Sequence, residues 1–281
     1  MTHQYYFCIP YHENLIRLLE SNNIRYRLSS PLGECFTNGT PVPVLVTFEF
    51  KGYLPIVDKI ATEFRHKPRV SVVYTAAEIH NAKLLWITPK RQSIDILNLK
   101  TVYSLLCQWQ TVGGMPRVHR REQIAPFVIE KEPSAKKTAF WASSTGFSEI
   151  FTDNRVRELA MTHNLQGVKF VETILPNGSF SDNIFQITAN ERIGAENIVF
   201  GKGEKEITCS QCGQKQYAFD STYQLHLSLC ENDLNRDIFV TDPIFGTGIS
   251  MPLYLISQRF YQVLKQNNLT ADVAFEPVVL I

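Results

Sequence analysis

A cluster of potential metal ligands lies between positions 209 and 230. Cys209 and Cys212 are separated by two residues and followed by Gly213, a spacing typical of a tight turn that points two thiolates at one metal ion. His226 and Cys230 follow after thirteen residues and are separated by three, which completes the pattern C-x2-C-x13-H-x3-C. Two independent pairs must coincide for this pattern to be accidental. The sequence therefore predicts one four-ligand metal site.

The ligand types identify the metal. Thiolates and an imidazole favour zinc over calcium or magnesium, and four protein ligands leave no position for a catalytic water. A helix beginning at Asp220 would place His226 and Cys230 on one face, with Tyr217 and Phe219 available to cover the ion. We therefore predict a structural Zn²⁺. Two alternatives stay open, namely a set of buried thiols without metal, and an ion held by three cysteines and a distant ligand instead of His226.

A zinc finger also raises the alternative of a zinc-containing nucleic-acid-binding or regulatory protein. The residues 220–224 at the start of the predicted helix include no lysine or arginine. The lysines that flank the cysteines are matched by nearby carboxylates, as in Lys205 and Glu206. Because neutralisation of phosphate supplies most of the affinity for a duplex, the sequence disfavours nucleic acid as the partner of this segment.

No other motif predicts catalysis. The chain contains neither a two-histidine metalloprotease motif nor a serine in a G-x-S-x-G turn. The basic run at 117–121 is typical of a solvated surface, and Gly201–Lys205 lacks the spacing of a phosphate-binding loop. His163 is interpreted as a surface capping residue. We predict that the protein is not an enzyme, although an active site dispersed along the sequence stays open.

Three stretches share the order helix, turn at asparagine, strand. They cover 11–28, 152–171 and 257–275, and their apolar residues recur every three or four positions. Asp153 and Ser257 are predicted to cap the second and third helices. This order is common in α+β proteins, so we favour that explanation over duplication, while the similarity of 18–24 to 263–269 keeps an internal repeat as the alternative.

The remaining patterns predict an α+β fold of two lobes, built from mixed or antiparallel sheets and short helices. Segments 42–50, 70–74 and 84–87 have the β-branched and aromatic content of strands, whereas 53–64 and 75–82 have helical spacing. The polar segment 133–137 is the predicted linker. It would separate an N-terminal lobe of residues 1–132 from a C-terminal lobe of residues 139–281, with the zinc knuckle inserted at 199–236.

Composition places the chain among globular proteins. Of its 281 residues 44% are hydrophobic, and 28 basic against 27 acidic residues give a net charge of +1. The net charge is therefore too small to attract nucleic acid or an anionic membrane by long-range electrostatics. The first ten residues lack the pattern of a secretory signal, and no apolar run reaches the roughly 18 residues that span a bilayer. We expect a cytoplasmic protein whose six cysteines are reduced.

The order of these features resembles a known group of proteins. Cys209-x2-Cys212-Gly213, a second cysteine-containing turn, the segment Leu255–Phe260 and the ending Val273–Val278 resemble the double-CXXCG proteins and related immunity proteins of bacterial polymorphic toxin systems. The resemblance covers roughly residues 145–281. One difference is that His226-x3-Cys230 stands where that group has a second CXXCG. The resemblance implies a cytoplasmic inhibitor that binds a cognate protein toxin, whose identity, contact surface and oligomeric state the sequence does not reveal.

Overall fold

The computed structural model of the chain divides into two units between Thr75 and Ala76. It describes residues 2–28, 36–37, 40–41, 45–66, 68–90, 92–99, 101–105, 110–112, 115–117, 121–134, 138–143, 149–199, 205–209, 212–218, 224–230, 234–245 and 251–281. The fold is α+β with short helices and several sheets, as predicted.

The N-terminal unit combines a four-stranded antiparallel sheet with two helices. Its elements are β1 (Thr2–Pro10), α1 (Glu13–Ser21), β2 (Tyr26–Leu28), β3 (Phe36–Thr37), β4 (Thr40–Pro41), β5 (Leu45–Lys51), α2 (Pro55–Glu63) and β6 (Arg69–Val73). The sheet order is β2-β5-β1-β6, and each neighbouring pair is antiparallel. Setting aside the small β3–β4 hairpin, this is the connectivity of a split βαβ motif of the ferredoxin-like kind.

Both helices of this unit pack on the same face of the sheet. Leu15 and Leu19 of α1, together with Val57 and Ile60 of α2, join the apolar side chains of the central strands in one cluster. Alternation along β1 directs Phe7 and Ile9 into this core and leaves Tyr6 and Cys8 exposed. The opposite face of the sheet therefore carries the solvent-exposed residues.

The C-terminal unit is larger and is built from sheets with three more helices among the described residues. Its helices are α3 (Ala76–Asn81), α4 (Asn154–Thr162) and α5 (Gln258–Gln266), with one 3-10 turn at Ala195–Asn197. Its strands are β7 (Leu84–Pro89), β8 (Gln92–Ile94), β9 (Tyr103–Leu105), β10 (Gln110–Val112), β11 (Met115–Arg117), β12 (Arg121–Gln123), β13 (Phe140–Ser143), β14 (Ile150–Asp153), β15 (Val168–Ile174), β16 (Phe180–Ala189), β17 (Arg192–Ile193), β18 (Ile198–Val199), β19 (Lys205–Thr208), β20 (Lys215–Ala218), β21 (His226–Leu227), β22 (Ile238–Thr241), β23 (Ile244–Phe245), β24 (Tyr254–Ser257) and β25 (Val273–Leu280).

Two sheets form the main core of this unit. One has five strands in the order β15-β16-β14-β13-β8, and the other has seven in the order β17-β22-β24-β7-β25-β21-β18. A single apolar cluster joins side chains of both sheets, such as Phe140 and Ile256, with Val156 of α4 and Phe260 of α5. The second sheet is mixed, because β17 and β22 are parallel and so are β21 and β25.

The three predicted helix-turn-strand stretches are confirmed, and their turns share one geometry. Helices α1, α4 and α5 each have nine residues. Beyond each helix an asparagine has a positive φ, 54° at Asn23, 50° at Asn164 and 59° at Asn268. The amide of the following residue donates to the carbonyl five positions earlier, as from Leu165 to Ala160 at 2.8 Å. This is a Schellman motif, which satisfies the last free carbonyls of a helix.

The residues that begin the helices also agree with the prediction. Asp153 accepts a hydrogen bond from the amide of Val156, and the Ser257 hydroxyl accepts one from the amide of Phe260, so both predicted caps are confirmed. His163 is the C-cap residue of α4. The strands predicted at 42–50, 70–74 and 84–87 form at 45–51, 69–73 and 84–89, and the helices predicted at 53–64 and 75–82 form at 55–63 and 76–81. Residues 42–44 lie outside the described residues.

The division into units lies ahead of the predicted one. Strand Leu84–Pro89, which precedes the predicted linker at 133–137, pairs with both β24 and β25, which follow it. Residues 135–137 lie outside the described residues. Within the described residues no helix has the length and apolar character needed to cross a membrane.

Candidate metal centre

Cys209 and Cys212 lie in the turn of a β-hairpin. Strands β19 and β20 pair antiparallel up to Thr208 and Lys215. The Cys209 amide donates to the carbonyl of Gln214 at 3.0 Å, and the Gly213 amide donates back to the carbonyl of Cys209 at 2.9 Å. These two bonds fix the turn that holds both cysteines.

The backbone conformation at position 213 explains why a glycine directly follows the second cysteine. The φ of Gly213 is +69°, in the left-handed region that residues with a Cβ rarely adopt. A Cβ built there would meet no atom within 4 Å, so the backbone conformation rather than space requires glycine. Cys209 is buried and Cys212 is half-buried. A thiolate pair on such a turn can supply two of the four ligands of a tetrahedral zinc site.

Charged and aromatic residues support the hairpin. Glu206 pairs with the ammonium of Lys215 at 3.0 Å and accepts a hydrogen bond from the Tyr217 hydroxyl at 3.1 Å. The hydrogen bond from Lys215 is the main reason why the pKa of Glu206 is lowered. Tyr217 is buried, with its ring 5.6 Å from that of Phe245. Phe219, the other residue expected to cover the ion, lies outside the described residues.

The second predicted ligand pair is not on a helix. His226 belongs to strand β21, which lies between β18 and β25, and Cys230 follows in irregular, exposed structure. The amide of Val279 donates to the Leu225 carbonyl at 2.9 Å. The predicted helix is therefore wrong for 224–230, while residues 220–223 lie outside the described residues.

The sequence around His226 also contains the alternation that predicts a strand, in competition with the spacing that predicted a helix. Leu225 and Leu227 are buried, Ser228 is exposed and His226 is half-buried, which is largely the alternation of a strand. The spacing of His226 and Cys230 suggested a helix face, but pairing with the end of the chain determines the conformation. Four residues along a strand cover about 13 Å, so a fully extended segment would not place these two residues side by side.

The structure thus brings together only part of the predicted site. Cys209 and Cys212 share one turn, but within the described part of the chain no group of three or more His, Cys, Asp or Glu side chains is positioned to hold a metal ion. All four predicted ligands belong to that part. The turn fits half of a zinc site, and the contribution of His226 and Cys230 stays a prediction.

Two carboxylates of the C-terminal unit, the buried Asp237 and the half-buried Glu276, were not singled out from the sequence. Asp237 accepts hydrogen bonds from the amide of Gln166 at 2.7 Å and from the Ser257 hydroxyl at 2.6 Å, and it pairs with Arg259 at 3.3 Å. These contacts join the turn after α4 to the start of α5. The other carboxylate is Glu276. It could have been identified from the sequence as the single acidic residue within the apolar strand Val273–Leu280.

The three tryptophans differ in position. Trp141 is buried in a cluster with Phe127 and Phe151, so it contributes to the core. Trp86 is half-buried in β7. Trp109 lies outside the described residues, as do His119 and Arg120 of the basic run and most of the Gly201–Lys205 segment.

Comparison with known proteins adds no relative. No protein family, no curated protein and no solved structure matches this chain.

Proposed function

We propose that this chain is an immunity-type protein that binds a cognate bacterial toxin in the cytoplasm and neutralises it, with a structural zinc ion in its C-terminal unit. The role requires binding rather than catalysis, so it needs a stable surface with a few anchor residues and no reactive group.

The proposal is supported by where the residues that carry the resemblance lie. The segment Leu255–Phe260 contributes to β24, the Ser257 cap and the first turn of α5, and the ending Val273–Val278 lies in β25. Strand β7 lies between β24 and β25, and β21 pairs with the other edge of β25. His226, Leu255 and Val273–Val278 thus lie in one sheet, whereas Cys209 and Gly213 belong to the hairpin of β19 and β20.

The zinc part of the proposal is supported by the turn at Cys209–Gly213. Its two backbone hydrogen bonds and the positive φ of Gly213 present two cysteines on one rigid turn. We propose that Cys209, Cys212, His226 and Cys230 hold Zn²⁺. Such an ion would hold the hairpin in place, because the free energy of metal binding adds to the free energy of folding.

Phe180 is a candidate anchor for the toxin. Among the described side chains of the C-terminal unit it is the one aromatic residue in the set of exposed large apolar residues, with 56% of its surface accessible. It begins β16, a strand in which residues 184–187 are buried. An aromatic side chain on a rigid strand buries much apolar area and loses little conformational entropy on binding.

The test is protection against the toxin encoded by the neighbouring gene. Co-expression with this chain should restore growth, and the purified proteins should bind each other in calorimetry. Phe180→Ala should weaken binding at least tenfold, because a buried aromatic anchor contributes about 2 kcal/mol or more. Met161→Ala is the matched control, since Met161 is 68% exposed on α4 and should bind like the wild type.

The outcomes are distinct. No restored growth and no binding would overturn the proposed function. Restored growth with unchanged affinity in Phe180→Ala would retain the function but reject this residue as the anchor.

A further inference from the structure

The exposed face of the N-terminal sheet differs in charge from the helical side of the same unit. Helices α1 and α2 carry four acidic and two basic residues, namely Glu13, Glu20, Asp58 and Glu63 against Arg17 and Lys59. Because both helices pack on one face of the sheet, this acidic surplus belongs to that side of the unit.

The opposite surface, here called the open face, includes Gln4, Tyr6, Cys8, Arg27, Thr47, Glu49, Lys51, Ser71 and Val73, with Arg25 at its β2 edge. Alternation determines this assignment, since Phe7, Val46, Phe48 and Phe50 are the neighbours that point into the core. Among these residues three are basic and one is acidic. The open face therefore has the opposite charge bias to the helices, although the whole chain is nearly neutral.

Tyr6 lies near the middle of the open face. It belongs to β1, which has β5 on one side and β6 on the other, and it pairs in register with Glu49. Its side chain is 39% exposed. Glu49 accepts a hydrogen bond from the side-chain amide of Gln4 at 2.6 Å, which links this carboxylate to the neighbouring strand. An accessible aromatic ring on a flat polar surface bordered by arginine and lysine can stack on a nucleobase while the cations contact phosphates.

We propose that the open face binds single-stranded nucleic acid, with Tyr6 stacking on a base and Arg25, Arg27 and Lys51 contacting the backbone. Single strands fit this surface better than duplexes, because a base must be unpaired to stack on a side chain. The positive bias selects a polyanion, and an accessible aromatic ring beside basic residues favours a nucleobase as the group that stacks on it. This site is formed by residues of the N-terminal unit and does not depend on the proposed toxin binding.

The experiment is fluorescence anisotropy of a labelled twelve-nucleotide oligouridine with the full-length protein. Binding should weaken as salt rises. Tyr6→Ala should raise Kd about tenfold, since stacking on one aromatic ring is lost, and Tyr6→Phe should retain wild-type affinity. Arg27→Ala should lower the slope of log Kd against log salt by about 0.7.

Two variants on other surfaces serve as matched controls. Tyr53→Ala removes an even more exposed tyrosine in the loop between β5 and α2, and Arg17→Ala removes an arginine of α1 that pairs with Glu13. Both should bind like the wild type. The proposal is overturned by lack of binding at low salt, by equal losses in Tyr6→Ala and Tyr53→Ala, or by equal affinity for an RNA duplex or for polyglutamate.

Discussion

Glu276 shows how the environment of one residue alters its chemistry. It lies in β25, opposite Trp86 of β7, on the other side of the strand from the core residues Val273 and Phe275. Burial raises the pKa of this carboxyl, because removing a carboxylate from water disfavours the charged form. Asp153 shows the same direction from the same cause, although its bonds to Arg155 and to the start of α4 oppose the shift.

This shift predicts a dependence of stability on pH. A carboxyl whose pKa is higher in the folded than in the unfolded state stabilises the fold fully below the unfolded pKa and loses that contribution as pH rises through the folded pKa. Glu276→Gln should therefore be more stable than the wild type at neutral pH, with the difference disappearing in acid. Thermal unfolding between about pH 3 and 8 measures this, and Glu172→Gln, an exposed strand position, is the control. A neutral-pH loss of stability in Glu276→Gln would contradict the account.

At the scale of elements, the sequence predicted what local interactions determine. The helices at 13–21, 154–162 and 258–266 were predictable because their caps, apolar stripes and asparagine turns all lie within about a dozen residues. Strand β21 was missed because its conformation depends on pairing with β25, far along the chain. The turn at Cys209–Gly213 was predictable from the glycine, whereas the relative position of the two ligand pairs depends on such long-range pairing.

Arg65 tests the turn geometry at the same scale. It follows the C-cap residue Phe64 of α2 and has a φ of 53°, at the position where α1, α4 and α5 are followed by asparagine. Arg65→Gly should stabilise the protein by about 0.5 kcal/mol, because relief of the left-handed backbone outweighs the greater freedom of glycine in the unfolded chain. Lys59→Gly, inside the same helix, should destabilise it by about 1 kcal/mol. Denaturant titrations measure the free energy of unfolding of both variants. An equal loss of stability in Arg65→Gly and Lys59→Gly would refute the claim that the left-handed backbone at position 65 costs stability.

At the scale of the whole molecule, the α+β class was predictable and the arrangement of the sheets was not. Strand content and helical spacing are local properties, but the division after Thr75 follows from β7 joining β24 and β25. The polar segment 133–137 suggested a linker because composition alone does not reveal which strands pair across it. The zinc proposal depends on the same scale, since a four-ligand site must connect the hairpin turn to the segment beside β25.

The most direct test of the zinc proposal is the metal content of the purified protein by elemental analysis. We predict about one zinc per chain, retained in Cys8→Ser, which changes an exposed cysteine of the N-terminal unit, and lost with a fall in thermal stability in Cys209→Ser and His226→Ala. If zinc is lost in Cys209→Ser but not in His226→Ala, the cysteine turn binds the ion and a residue other than His226 supplies the fourth ligand. A folded wild-type protein without zinc, or one that keeps its zinc in Cys209→Ser, would contradict the claim.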